Sequence, residues 1–361
     1  MVKFLRYIKD INKFSEGGYT NGGGTVAEIN YLKCLTEFDD VEFIILTSKA
    51  FDGNFLNAKI IQVEDNQQKI DEKIKEINPD FVLSRISKDF PHSFSLHSHS
   101  PFYSVNRSKG IMRFIKNIIY QKKFNQIRKE YSNFTPNTKI IAGSNKMKFD
   151  YVSNMNFKPS NVFVVHPGCK EIYQEMPEKI KKDYVTFGLV ANSSFNKGGE
   201  FSLFAFAKLK KQGYKFKVKY VAKRPNKAFI PKFLINVFGL KDYVEIVSRY
   251  KNMEEFYKTI DCMLLPSQNE AFGLVVTEAM TYGIPSIVSN TTGVAEIIDN
   301  TNGITFERNT DDFAQKLKYF IDVYNNDFEE YKKLSARAFD TSKKFTWKNF
   351  AKNIYLIAQD K

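Results

Sequence analysis

Short apolar runs alternate with stretches of helical periodicity along nearly the whole chain, and no other feature narrows the fold so far. In the first half the β-like runs are residues 2–8, 41–48, 58–63, 80–86, 93–99, 139–144 and 161–167, with helical patterns at 25–35 and 67–77 between them. The second half repeats the rhythm, with strands at 184–190, 216–222, 243–248, 262–267, 285–290 and 303–306 and helices at 199–213, 253–260, 273–283 and 311–326. Strands that alternate with helices predict parallel sheets covered on both faces. The polar stretch GCKEIYQEMPEKIKKD (168–183) breaks the rhythm and reads as an interdomain linker. The expected architecture is therefore α/β, with two Rossmann-like doubly wound domains. In such sheets ligands sit beyond the carboxyl ends of the strands, and a cleft between two domains is the default site.

Composition excludes several classes. Hydrophobic residues make up 43% of the 361, enough for packed cores. No run approaches the ~20 apolar residues that a membrane-crossing helix needs. MVKFLRYIKDINKF at the start carries a charge every few residues and lacks a signal-peptide pattern. Cys34, Cys169 and Cys262 lie far apart, which fits neither a disulfide framework nor a zinc knuckle. A cytoplasmic protein is expected. The net charge of +14 favours anionic ligands or surfaces without choosing among them.

The chemistry concentrates at 269–285, NEAFGLVVTEAMTYGIP. Glu270 falls in the loop after the apolar run CMLLPS, and Glu278 falls on the helix that follows. Carboxylates with two acceptor oxygens suit the vicinal hydroxyls of a sugar or ribose. The amides of Phe272, Gly273, Leu274 and Val275 lie at the helix start, where unpaired N–H groups and the helix dipole favour an anion such as phosphate.

PSQNEAFGLVVTEAMTYGIPSIV closely resembles the E-x7-E signature of retaining glycosyltransferases of family 4 (glycosyl transferases group 1), which have the GT-B fold. The resemblance continues through TTGVAEIIDNTNGITF (291–306) and through FTWKNFAKNIYLIAQ, which looks like the family's C-terminal helix that crosses back to the first domain. It is strong in the second half and weaker in the first. It implies an acceptor-side domain at 1–168, a nucleotide-sugar-binding domain at 169–340 and a crossing helix in 341–361.

Further site residues follow from the resemblance. In FNKGGE (195–200), Lys197 matches the family lysine that pairs with the donor diphosphate, with Asn196 beside it on the donor side. The family's neighbouring arginine is missing from GLVANSSFNKG, and Arg224 and Arg249 are unranked candidates for that second cation. NGGGT (21–25) offers Gly23 and Gly24 as the phosphate-facing pair before the first helix, although a second pair stands at 17–18. SFSLHSHSPFYS carries His97 and His99, and the family histidine that reaches the donor sugar's primary hydroxyl matches His99 better, because it lies nearer the strand tip. Finally, 107–129 holds eight basic residues and no acid, with apolar residues at helical spacing. Its cationic side suits an anionic membrane surface or a lipid-linked acceptor.

The expectation is a hexosyltransferase-like enzyme that transfers sugar with retention from a nucleotide-sugar donor, UDP-sugar favoured, to a glycan, glycolipid or glycoprotein in bacterial surface polysaccharide or glycoconjugate synthesis. Glu270, Lys197 and His99 are its catalytic candidates; Gly23, Gly24, Asn196, Phe272, Gly273, Leu274, Val275 and Glu278 are its donor-binding candidates. No Asp-x-Asp motif is present, so neither metal nor other cofactor is expected, and no nucleic-acid-reading motif accompanies the charge. A peripheral position on the inner face of the membrane fits the basic segment. A non-hydrolysing sugar-nucleotide epimerase of the same fold and a non-catalytic GT-B binding subunit are the alternatives.

Overall fold

The computed structural model describes residues 1–12, 23–84, 93–97, 139–155, 157–169, 175–191, 195–222, 229–247, 250 and 252–359. The chain divides into two compact units, Met1–Gly168 with Trp347–Lys361, and Cys169–Thr346. The described elements of the first unit are β1 (Val2–Tyr7), α1 (Gly23–Leu35), β2 (Val41–Thr47), β3 (Lys59–Gln62), α2 (Gln67–Ile77), β4 (Phe81–Ser84), β5 (Ser93–His97), β6 (Lys139–Ala142), α3 (Asn145–Met155) and β7 (Val162–Val164). Those of the second are β8 (Val185–Val190), α4 (Gly199–Lys211), β9 (Phe216–Val221), α5 (Phe229–Val237), β10 (Val244–Val247), α6 (Met253–Tyr257), β11 (Cys262–Leu265), α7 (Leu274–Met280), β12 (Ser286–Ser289), β13 (Gly303–Phe306), α8 (Thr310–Asn326) and α9 (Phe328–Ser342). The last helix, α10 (Trp347–Gln359), belongs to the first unit.

Each unit is built on one parallel sheet. The orders are β3-β2-β1-β4-β5-β6-β7 and β10-β9-β8-β11-β12-β13. Both start in the middle, run outward to one side, and return to build the other. The strand order therefore reverses between β1 and β4 in one sheet and between β8 and β11 in the other, which opens a crevice at the carboxyl edge of each. Strands covered on both faces are buried along their length: β11 (CMLL) and β12 (SIVS) are buried at every position, the two serines of β12 included. Helix starts follow from local chemistry as well. Asn66 caps α2 through the Gln68 and Lys69 amides, and Asn309 caps α8 through the Asp312 amide.

Several boundaries differ from the sequence reading. Helix α1 begins at Gly23, so Gly23 and Gly24 form its first turn rather than the loop before it. Helix α7 is shorter than 273–283, because Gly273 is its N-cap and residues 281–283 form the turn into β12. Helices α3, α5 and α9 add to the helices expected from the sequence. The return to the first unit falls at Thr346/Trp347 rather than 340/341, since α9 runs to Ser342 and Thr346 bridges to Cys169.

The described part of the 168–183 segment is no free linker either. The Lys179 ammonium donates to the Tyr282 carbonyl (2.7 Å), and burial pulls its pKa down to about 8 against the opposing pull of Asp261. Lys182 pairs with Asp261 (2.9 Å). The amphipathic α10 packs on α1 through Tyr31 and Phe350, while Tyr355 stacks on Phe38 (4.7 Å). Among the described residues, no helix is long and apolar enough to cross a membrane.

Candidate active site at the carboxyl edge of the second sheet

Strands β8 and β11 are neighbours, and the loops leaving their carboxyl ends flank the point where the second sheet reverses its order. The first loop ends in a tight turn, Phe195–Lys197, followed by Gly198 at the N-cap of α4. Gly198 has φ 72°, a left-handed conformation, and a Cβ there would lie 2.2 Å from the Pro266 carbonyl oxygen. Only glycine allows the two loops to come this close. The Gln268 amide then donates to the Asn196 carbonyl (2.7 Å), which stitches the loops together.

That stitching brings Lys197 to Glu270 across 73 residues of sequence, and the two side chains form an ion pair. The carboxylate is largely shielded, whereas about a third of the lysine side chain remains open to solvent. The Glu270 loop is held from its other side by the turn after β12. Thr291 Oγ1 donates to the Ser267 carbonyl (2.6 Å) and exchanges a hydrogen bond with Ser289 Oγ (2.6 Å). The Gly293 amide donates to the Glu270 carbonyl (3.0 Å), and the Val294 amide donates to the Phe272 carbonyl (2.8 Å). Three loops thus fix the backbone of one glutamate.

Phe272 and Gly273 are buried at the start of α7. Gly273 has φ 121°, and a Cβ there would strike Leu265 at 2.5 Å, so the chain can enter the helix at this point only through glycine. Leu274 and Val275 occupy the first turn, where amides have no intrahelical acceptor. Glu278 sits one turn further on. Its carboxylate accepts a hydrogen bond from the Tyr257 hydroxyl (2.5 Å), which comes from α6. Burial pushes the Glu278 carboxyl above the usual carboxylate range, opposed by that donated hydrogen bond. The Tyr257 phenol is raised well above its ordinary value by burial and by the adjoining carboxylate.

The structure thus brings Lys197, Asn196 and Glu270 together, and it puts Phe272–Val275 and Glu278 on the segment that follows. Gly23 and Gly24 belong to the first unit. His99, the 107–129 segment, Arg224 and Arg249 lie outside the described residues. Two contributors gave no sequence signal. Tyr257 stands in an ordinary amphipathic stretch. Arg308 follows β13, donates from Nε to the Pro266 carbonyl (3.1 Å) and lies over the Phe201 ring at 4.6 Å. It supports the start of the Glu270 loop, and burial pulls its pKa down. Among the described residues, no group of three or more His, Cys, Asp or Glu side chains could hold a metal ion.

Residues 173–341, nearly the whole of this unit, match the family glycosyl transferases group 1. The match falls within the second unit and covers a little under half of the chain. A curated relative, the uncharacterized glycosyltransferase MJ1607 of Methanocaldococcus jannaschii, is 29% identical over 113 residues, which are 30% of this chain and 28% of that protein's length. Solved structures resemble the chain from end to end. Anabaena Alr3699/HepE, crystallized with UDP and glucose, superposes with a TM-score of 0.71 at 15% identity and full coverage of both chains. Sucrose-phosphate synthase from Thermosynechococcus elongatus gives a TM-score of 0.74 at 12% identity, covering 100% of this chain and 99% of its own. The fold is accordingly GT-B, with one doubly wound unit built on each of the two sheets described above.

Proposed function

We propose that the protein is a retaining glycosyltransferase that moves a sugar from a nucleotide-sugar donor, a UDP-sugar first among them, to a glycan, glycolipid or glycoprotein acceptor. The observation that carries this reading is the contact between Lys197 and Glu270 at the reversal point of the unit that matches glycosyl transferases group 1. Crystallization of the Anabaena protein with UDP and glucose supports the choice of donor.

The chemistry asked of the site is charge stabilisation. As the bond between sugar and phosphate breaks, the sugar gains positive character and the diphosphate gains negative charge. Preorganised cations and N–H donors lower that barrier most. Lys197 is a flexible point charge suited to the diphosphate. In its pair with Glu270 both groups are held in place and electrically balanced. When a diphosphate takes over the ammonium, the Glu270 carboxylate is released to accept hydrogen bonds from sugar hydroxyls. Glu278, oriented by Tyr257, is assigned to the ribose, and the first-turn amides of α7 to phosphate oxygens. His99 is assigned to the sugar's primary hydroxyl, and Gly23 and Gly24 to close approach of backbone to phosphate. The leaving phosphate takes the acceptor's proton, so the reaction requires no enzymic nucleophile, and without an Asp-x-Asp motif the charge on the diphosphate is assigned to Lys197 and the amides rather than to a metal. A role in bacterial surface polysaccharide or glycoconjugate synthesis, at the inner face of the membrane through 107–129, completes the proposal.

A thermal-shift screen against UDP-, GDP- and ADP-sugars, followed by assay of released nucleoside diphosphate and NMR of the product anomer, tests the reading. Stabilisation by one donor class is expected. Glu270→Ala and Lys197→Ala should remove most turnover, and Glu278→Ala should chiefly weaken donor binding. Turnover at the wild-type level in all three variants would sink the assignment.

A further inference from the structure

Helix α5 turns large apolar side chains toward solvent. Phe229, Ile230, Phe233 and Val237 are 77%, 49%, 55% and 59% exposed, whereas Pro231 and Ile235 are buried against the domain. At ~100° per residue the four exposed side chains fall within one ~100° stripe of the helix surface. The patch extends onto the neighbouring helix, where Phe204 is 47% exposed and meets Phe238 edge to face at 5.1 Å. Exposed apolar side chains gathered into one cluster mark an interaction site, where scattered ones do not.

Its surroundings say what it meets. The described residues from Phe201 to Lys241 include eight lysines and no aspartate or glutamate, with the exposed Asp242 next in the chain. Lys232, Lys211 and Lys241 are exposed around α5, and the Lys210 ammonium donates to the Phe238 and Gly239 carbonyls at the helix end. Against a second copy of the same face, these charges would oppose their like. An anionic lipid surface offers both an apolar layer for the aromatic stripe and negative headgroups for the rim.

We propose that α5 is a membrane-docking element: Phe229, Ile230, Phe233 and Val237 enter an anionic bilayer surface while Lys211, Lys232 and Lys241 pair with headgroups. The proposal rests on the second unit alone and does not depend on the glycosyltransferase reading or on the 107–129 segment.

Co-sedimentation of the full chain with phosphatidylcholine vesicles, with and without phosphatidylglycerol, tests it. The wild-type protein should partition to the phosphatidylglycerol vesicles, and added salt should weaken that binding. Phe229→Ser/Phe233→Ser should reduce partitioning at least tenfold, and Lys232→Glu/Lys241→Glu should weaken its dependence on phosphatidylglycerol, also when the basic residues of 107–129 are replaced by glutamine. All four side chains are exposed, so thermal melting of the variants should match the wild type and exclude misfolding. Undiminished partitioning of the serine variant overturns the proposal. So does an absence of partitioning by the wild type, including the case in which sedimentation velocity shows a dimer that the serine variant dissociates.

Discussion

At the carboxyl edge of the second sheet Lys197 reaches Glu270, and at the amino edge of the same sheet Lys182 reaches Asp261. Both pairs join a lysine beside β8 to an acid beside β11, yet their surroundings differ. The Asp261 carboxylate also accepts a hydrogen bond from the buried Thr186 amide (2.8 Å), and its backbone carbonyl accepts one from Tyr331 (3.2 Å). Lys182 is at least as open to solvent as Lys197, so the two edges differ in the acid: the Asp261 carboxylate keeps a fixed backbone donor between β8 and β11 whatever its lysine does. At the opposite edge the backbone of Glu270 is committed, through Thr292 and Gly293, while its carboxylate is answered by one flexible and partly open lysine. The Asp261 carboxylate stays tied to the backbone if its lysine leaves, whereas the Glu270 carboxylate can exchange its lysine for another partner.

The largest expected effect separates the two edges by function. Glu270→Ala should lower turnover at least 100-fold, equivalent to about 2.7 kcal/mol of transition-state stabilisation. Its cost to stability should stay within about 1 kcal/mol, as for partly exposed ion pairs in general. Steady-state assays paired with urea denaturation measure both quantities. A loss of stability large enough to explain the loss of activity would make the two edges equivalent and erase the distinction.

Asp261→Ala should show the reverse, with near-normal turnover per folded molecule. The variant leaves the buried Thr186 amide unpaired, which costs about 2 kcal/mol. For a unit of this size that lowers the melting temperature by ~4–8 °C. Asp261→Asn separates hydrogen bond from charge. Burial raises the Asp261 carboxyl above the usual range and outweighs the help it receives from Lys182. Asparagine keeps an acceptor for Thr186 without a buried charge, so its cost at neutral pH should be under about 1 kcal/mol. The sign of the pH dependence follows. With its pKa raised in the folded state, Asp261 contributes most below the ordinary carboxylate pKa of ~3.9, and that contribution is lost as pH rises through the raised value. The stability advantage of wild type over Asp261→Asn should therefore shrink with rising pH. A growing advantage would mean that charge, not the hydrogen bond, holds this edge.

The same contrast explains what could be read from the sequence. All thirteen strands among the described residues were visible, because a covered parallel strand is a short, mostly apolar run such as CMLL, and a half-covered one alternates, as in FKVKYV. Glu270, Glu278 and Lys197 were visible because their neighbours are constrained together. Gly198 and Gly273 must be glycine for the loops to close, and a cluster of constrained positions makes a motif. Tyr257, Asp261 and Arg308 were not visible. Each acts through a partner far away in sequence, and nothing in MEEFY or FERN signals that partner. Helix α5 escaped notice for another reason. Its nine residues are mostly apolar and begin with FIP, a short run that reads as easily as a loop or strand edge as a helix.

Glu278 stands between the two cases, and its pH response should be the smallest of these effects. It is enclosed like Asp261 but lies on the helix that follows the Glu270 loop. Burial raises its pKa, and the hydrogen bond from Tyr257 works against that rise. Tyr257→Phe removes the opposing influence, so the Glu278 carboxyl should climb further. If the carboxylate form grips the donor's ribose, donor affinity falls as pH drops through the Glu278 pKa. In Tyr257→Phe this fall should begin at a higher pH, with a loss at neutral pH of only a few-fold, about 1 kcal/mol. Donor titrations by calorimetry across the acidic to neutral range would show it. Unchanged pH profiles in Tyr257→Phe and Glu278→Gln would place Glu278 with Asp261, as a residue that holds α6 to α7, and would leave Glu270 as the second unit's one working carboxylate.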